Sequence, residues 1–235
     1  MRHIRELVAL AKAAHPNDRF FANLEQTLRF PSDARAQYRA YERALCLLDA
    51  ESWADLRAKA MAHFKDHRRG QLKQGFFNQL NEAFAYQHLV RRGFRKVRAL
   101  REVGKTQPDI EYADRDEKHF CEVKTIGISE EQIARWDAKQ AFRSSVYHEL
   151  SAGFVGKLQS TLDLADKQIK ARGTRGLIYL LVLFDDFTLQ NYKKYRKQIC
   201  HCIFAHSAEN IYVKVGLLGR RYIEKHPTTR AMHGA

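Results

Sequence analysis

Four residues stand out for their types and their spacing: Asp109, Glu111, Glu122 and Lys124. Successive side chains on a strand point to opposite faces, so residues two apart share a side. Asp109 and Glu111 therefore face one way on one strand, and Glu122 and Lys124 do so on the next. If the polar turn Asp114-Arg115-Asp116-Glu117-Lys118 pairs these strands as a hairpin, carboxylates and an ammonium meet on one face. Two carboxylates can hold a hard divalent cation, which polarises a phosphoryl oxygen and lowers the pKa of a bound water. The lysine orients that water or neutralises developing charge. These are the parts that phosphodiester hydrolysis requires.

An acidic residue two before a lysine is a cheap pattern, and it occurs three times, at Asp116/Lys118, Glu122/Lys124 and Asp137/Lys139. The first lies in the polar turn and the third in a helical stretch, where residues two apart do not share a face. Only Glu122-Val123-Lys124 sits inside an apolar strand, Phe120 to Ile126. Charges there cost stability unless they are paired or solvated in a cleft. The bland alternative is a cross-strand ion pair on an exposed sheet face. Glu111 reads better as such a partner than as a ligand.

Other chemistries lack their signatures. The 11 histidines form no HExxH pair. Gly104-Lys105-Thr106 lacks the upstream glycine of a phosphate-cradling loop. Cys200-His201-Cys202 is too tight for a zinc knuckle, and Cys46 and Cys121 add no second pair at finger spacing, so free thiols are expected.

The elements that must position the site follow from periodicity. Helices are expected near 2–14, 19–29, 33–48, 51–66 and 72–92, the last closed by Arg92-Gly93. The period then changes. Residues 94–103, 109–113 and 119–126 read as strands, 130–149 and 154–172 as helices, and Leu177–Phe184 as a strand buried on both faces. A basic helix at 188–205, a strand at 211–217 and a loose tail of ten residues complete the chain. The fold class is α/β, a mixed central sheet flanked by helices with an α-helical N-terminal extension. A boundary near His67-Arg68-Arg69-Gly70 divides an N-terminal lobe (1–70) from the main domain (71–235).

Composition narrows the partners. The chain has 235 residues, 45% hydrophobic, which excludes a disordered protein and is ample for a core. The longest apolar run, Leu177 to Phe184, is far short of the roughly 20 residues of a membrane helix. Arg2, Arg5, Glu6 and Lys12 break up any signal-like stretch at the start, so a cytoplasmic protein with no membrane partner is expected. The net charge is +14, divided as +4 over residues 1–70 and +10 over the rest, and it points to a polyanion, nucleic acid above all. Two clusters carry much of it. Arg91, Arg92, Arg95, Lys96, Arg98, Arg101 and Lys105 form the first; Lys193, Lys194, Arg196 and Lys197, interleaved with Tyr192 and Tyr195, form the second and suit phosphates and stacked bases.

Pro108-Asp109 followed by Glu122-Val123-Lys124 resembles the motif of the PD-(D/E)xK nuclease superfamily, whose fold is restriction-endonuclease-like. The order helix, three strands, helix, strand over roughly residues 72–185 is similar to that family's core. The resemblance implies that Asp109 and Glu122, with the carbonyl of Val123, are metal ligands and that Lys124 is the catalytic lysine. It implies that Glu82, on the helix before the first strand, joins the site. It also makes Lys157 and Gln168 candidates for an extra polar residue on the helix after the third strand. The implied cofactor is Mg²⁺, with Mn²⁺ as substitute, and the implied activity is endonucleolytic, on DNA rather than RNA. A homodimer would suit cleavage of two strands. The rival expectation is a non-catalytic nucleic-acid-binding module on the same fold.

Overall fold

The computed structural model describes residues 1–67, 72–101, 107–128, 133–134, 149–172, 175–184 and 191–226. Helices come first: α1 (Arg2–Ala14), α2 (Leu24–Arg29), α3 (Asp33–Leu45), α4 (Ala50–Ala62), α5 (Gln74–Leu80) and α6 (Glu82–Arg91). Strands β1 (Arg95–Ala99), β2 (Ile110–Asp114) and β3 (Glu117–Ile126) follow, then α7 (Ala152–Lys170), β4 (Gly176–Val182), α8 (Tyr192–Ala205), β5 (Ile211–Val215) and β6 (Tyr222–Lys225). The expected helix over 130–149 falls largely outside the described residues.

Local chemistry sets the boundaries. Ser32 and Asp49 cap α3 and α4, their side-chain oxygens accepting from the N–H groups of Arg35 and Ser52. The expected helix from residue 19 begins only at Leu24, because the Asp18 carboxylate accepts from the Phe20 N–H at 2.9 Å and holds the chain in a turn. The expected single helix over 72–92 is interrupted at Asn81, whose buried side chain bonds outward on both sides. Gly93, at φ of +83°, closes α6: its own N–H reaches Val90 O and the Phe94 N–H reaches Leu89 O.

The strands form one open mixed sheet in the order β1-β2-β3-β4-β5-β6. β1/β2, β2/β3 and β5/β6 are antiparallel, while β3/β4 and β4/β5 are parallel. The hairpin joins Asp114 to Glu117 across Arg115-Asp116, with Arg115 in the left-handed region at φ of +56°. β6 has no counterpart in the sequence reading. It is four residues long, charged and at the sheet edge, so it carries little periodic signal.

Helices cover both faces. Leu56, Phe76, Leu80 and Leu89 pack on Cys121, Tyr179 and Leu181; Leu158, Leu162, Ile199 and Ile203 pack on Ile178, Leu180 and Val182 from the other side. β4 is thus buried on both faces, as its unbroken apolar run anticipates. The first apolar cluster runs without a break from Leu7 of α1 and Leu45 of α3 to Tyr179 of β4, so α1–α4 form part of the layer that covers the sheet. Among the described residues, no helix is long and apolar enough to cross a membrane.

Candidate active site

A mismatch in strand length opens the site. β3 is ten residues long, yet it pairs with β2 only over Glu117–Cys121 and with β4 over Phe120–Ile126. Among the described residues, the half of β3 from Glu122 onward therefore has no strand paired to it on the β2 side. The Val123 N–H, which has no β2 carbonyl to reach, donates instead to Asp109 Oδ2 at 2.8 Å. The backbone of Asp109 is held by the Leu100 N–H, which donates to its carbonyl at 2.8 Å. Beyond this junction lies a cleft of about 410 Å³ lined by Glu82, Asp109, Glu122, Val123, Lys124 and Gln168, among others.

The cleft brings together Asp109, Glu122, Lys124, Val123 and Glu82, all of which the sequence singled out. Lys124 Nζ lies 2.5 Å from Glu122 Oε1. Glu122 is only 1% exposed, and its second oxygen, Oε2, is buried with no hydrogen-bond partner among the described residues. Gln168 of α7 lines the same cleft and its Oε1 is likewise buried and unpartnered, whereas Lys157 is exposed and away from it. Two orphaned acceptors in one polar cleft leave a place for a positive or proton-donating group, since a buried polar oxygen without a partner costs about 1–3 kcal/mol.

Electrostatics agree. Burial, reinforced by the charge of Asp109 and opposed by Lys124 and Lys59, pushes the Glu122 carboxyl up to about 8. Burial and the charge of Asp109 hold Glu82 well above the carboxylate range, against the pull of Lys59. Both carboxyls thus favour the neutral form until a cation compensates them.

Lys59 of α4 is the residue that sequence reasoning missed. Its Nζ donates to Glu82 at 2.9 and 3.2 Å and lies 4.0 Å from Asp109 Oδ1. The signal was a lysine beside an apolar stripe: Leu56, Ala60 and Phe64 repeat at helical spacing and are buried, and Lys59 sits one turn from Leu56 and is 9% exposed. Asn81 fastens this arrangement. Its Oδ1 accepts from Tyr41 OH at 2.8 Å, and its Nδ2 donates to Thr125 Oγ1 at 3.0 Å, next to Lys124.

Glu111 pairs with Lys118 at 2.5 Å, on the exposed side. Of the described residues in the two basic clusters, only Arg101 lines the cleft. Among the described residues, the basic groups lining it are Lys59, Arg101 and Lys124. Arg91, Arg92, Arg95, Lys96 and Arg98 are exposed around the end of α6 and along β1, where Arg92 pairs with Glu224 at 3.2 Å and Arg98 with Glu51. Lys193, Lys194, Arg196 and Lys197 are exposed on α8. Lys105 lies outside the described residues.

Among the described residues, one group of three donors has its ligand atoms within 4.8 Å of one another, and it is His3, Glu42 and Cys46 rather than the cleft carboxylates. In the cleft, Lys59 engages Glu82 and also faces Asp109. Comparison with known protein families, curated proteins and solved structures finds no match to this chain.

Proposed function

We propose that the chain is a divalent-metal-dependent nuclease of the PD-(D/E)xK type, with a restriction-endonuclease-like core and DNA as its substrate, cut internally. The observation that carries this reading is the unpartnered buried Oε2 of Glu122, in one cleft with Asp109 and Lys124. The order α6, three antiparallel strands, α7 and a parallel β4 supports it.

Asp109 and Glu122, with the Val123 carbonyl, would hold Mg²⁺ or Mn²⁺; two hard carboxylates and a carbonyl suit such an ion. When bound, the ion supplies Lewis-acid polarisation of a phosphoryl oxygen and a water of lowered pKa. Lys124 orients the attacking water and offsets charge that develops on the phosphoryl oxygens. Water adds to phosphorus and gives a proton to solvent, the P–O ester bond breaks, and the leaving oxygen takes up a proton from solvent to depart as an alcohol. Lys59 fixes Glu82 and faces Asp109, and so keeps the acidic groups in place. Arg101 at the cleft margin supplies a phosphate contact, and the exposed clusters 91–98 and 193–197 attract the polyanion over a longer range.

The rival reading, a non-catalytic nucleic-acid-binding module, draws on the Lys59–Glu82 and Lys124–Glu122 pairs, which offset part of the burial of both carboxyls without a metal. Cleavage decides between them. Supercoiled plasmid and a single-stranded oligonucleotide are incubated with Mg²⁺, Mn²⁺ or EDTA, with wild type, Asp109→Ala and Lys124→Ala. The expected result is metal-dependent nicking that both variants lose while still binding DNA, the Lys124→Ala loss being about 10²–10⁴-fold. Binding by wild type without cleavage under any metal would select the binding module.

A further inference from the structure

The N-terminal helices hold a second cluster of donors, away from the cleft. Glu42 and Cys46 are four residues apart at the end of α3, one turn of a helix, and so project from the same side. The start of α1 lies across them. The N–H groups of His3 and Ile4 donate to Glu42 Oε1 at 3.1 Å and Oε2 at 3.0 Å. Glu42 thus caps α1 from another helix and is itself held rigidly by two backbone donors. The His3 ring stands edge-on to Trp53, with centroids 4.7 Å apart and planes at 83°.

Three different donor atoms converge there. His3 Nδ1 lies 3.2 Å from Glu42 Oε1, Cys46 Sγ lies 3.5 Å from that oxygen, and Cys46 Sγ lies 3.6 Å from His3 Nδ1. A tetrahedral zinc ion with ordinary Zn–N, Zn–O and Zn–S bonds spaces its ligands about 3.3 Å (N to O) and about 3.6 Å (S to N or O) apart. The three edges therefore match one face of such a tetrahedron. Capping accounts for Glu42, but it requires neither a thiol nor an imidazole at these distances from the same oxygen.

We propose that His3, Glu42 and Cys46 form a zinc site that staples the start of α1 to the end of α3. Imidazole, carboxylate and thiolate together suit Zn²⁺ rather than the hard Mg²⁺ of the cleft. Cys46 is exposed, which gives the ion a way in and leaves the fourth position to water. The partners that orient the ligands are already placed: two backbone amides on Glu42 and the Trp53 ring on His3. Ligation replaces the Cys46 S–H bond with a Zn–S bond and releases the thiol proton to solvent. His3 binds through Nδ1 with its proton on Nε2, and Glu42 binds as the carboxylate. Affinity consequently rises with pH. The site stands independently of the nuclease reading.

The test uses the full chain, free of affinity tag and stripped of metal by a chelator. It is titrated with Zn²⁺ against a chromophoric chelator and with Co²⁺ to follow the thiolate-to-metal band. Wild type is compared with Cys46→Ser, His3→Gln, Cys200→Ser/Cys202→Ser and Asp109→Asn. The expected result is one tight Zn²⁺ equivalent and a thiolate–cobalt band that survive the Cys200/Cys202 and Asp109 changes. Cys46→Ser abolishes the band, and each of Cys46→Ser and His3→Gln weakens Zn²⁺ binding by at least about tenfold. A Zn²⁺-dependent rise in melting temperature, present in wild type and lost in Cys46→Ser, reports the staple. Absence of a thiolate band in wild type overturns the site, as does a band that persists in Cys46→Ser. Cys46→Ser exchanges an exposed thiol for a hydroxyl of similar shape, and circular dichroism confirms that each variant is folded before it is titrated.

Discussion

Glu122 is a buried carboxyl beside the acidic Asp109, and its consequence is measurable without any substrate. Its carboxyl sits at about 8 in the folded chain, against an ordinary value of 4.5. Between those values the native state holds a proton that the unfolded chain has released, so stability falls as pH rises through that window. In EDTA, the unfolding free energy from urea titration is expected to fall from pH 5 to pH 8.5, by on the order of 1–4 kcal/mol from this group. Glu122→Gln flattens that slope, and Mg²⁺ reduces it in wild type but not in the variant. A slope unchanged by Glu122→Gln would place the titration elsewhere. Lys59→Met leaves Glu82 buried without its ammonium. It is expected to cost on the order of 1–3 kcal/mol at pH 8 and less at pH 5, because lower pH favours the neutral carboxyl, which needs no ammonium. Equal losses at both pH values would mean that the lysine acts by packing alone.

The strand pair β2/β3 is the device that makes a site of these residues. β2 begins at Ile110, one residue after Asp109, and β3 runs on past it, so the Asp109 carboxylate takes over a hydrogen bond that a longer strand would have supplied. The junction between α5 and α6 serves the same end: Asn81 joins Tyr41 of α3 to Thr125 of β3. Asn81→Ala strands both partners and is expected to destabilise by about 1–3 kcal/mol, seen as a lower urea midpoint. Gly176 opens β4 so close to Phe120 of β3 that an added Cβ would meet the Phe120 carbonyl. Gly176→Ala is therefore expected to cost about 1–3 kcal/mol through displacement of the β3/β4 pair, although it lies away from the cleft. A neutral result in thermal melts would show that the two strands can part there.

Across the whole molecule, the apolar core and the net charge both extend over residues on either side of position 70. The apolar cluster shared by α1, α3, α4 and the sheet means that residues 1–67 do not peel away. Deletion of that segment removes Lys59 and uncovers Phe76 and Leu80, and the expected result is a chain that fails to fold cooperatively. A sharp thermal transition in the truncated chain would contradict this. The +14 charge acts at longer range. Binding to a DNA duplex is expected to weaken steeply between about 50 and 200 mM salt, with the slope reduced in a Lys193→Ala/Lys194→Ala/Lys197→Ala variant. A slope unaffected by the variant would take α8 out of the contact surface.

Much of this was legible along the chain because it is local. Periodicity marked α1, α3, α6, β3 and β4, and Gly93 marked the end of α6, since side-chain spacing and backbone conformation are short-range matters. Glu122 and Lys124 were legible for the same reason: charges at period two inside an apolar strand conflict with burial unless a cleft receives them. Tertiary structure alone decided what lies far apart in sequence. Lys59 meets Glu82 across 23 residues and Asp109 across 50, and Gln168, not Lys157, turns into the cleft. His3 meets Glu42 across 39 residues. No local rule relates such pairs, because their distance is set by how helices pack on the sheet, and packing depends on the shapes of side chains from the whole chain at once.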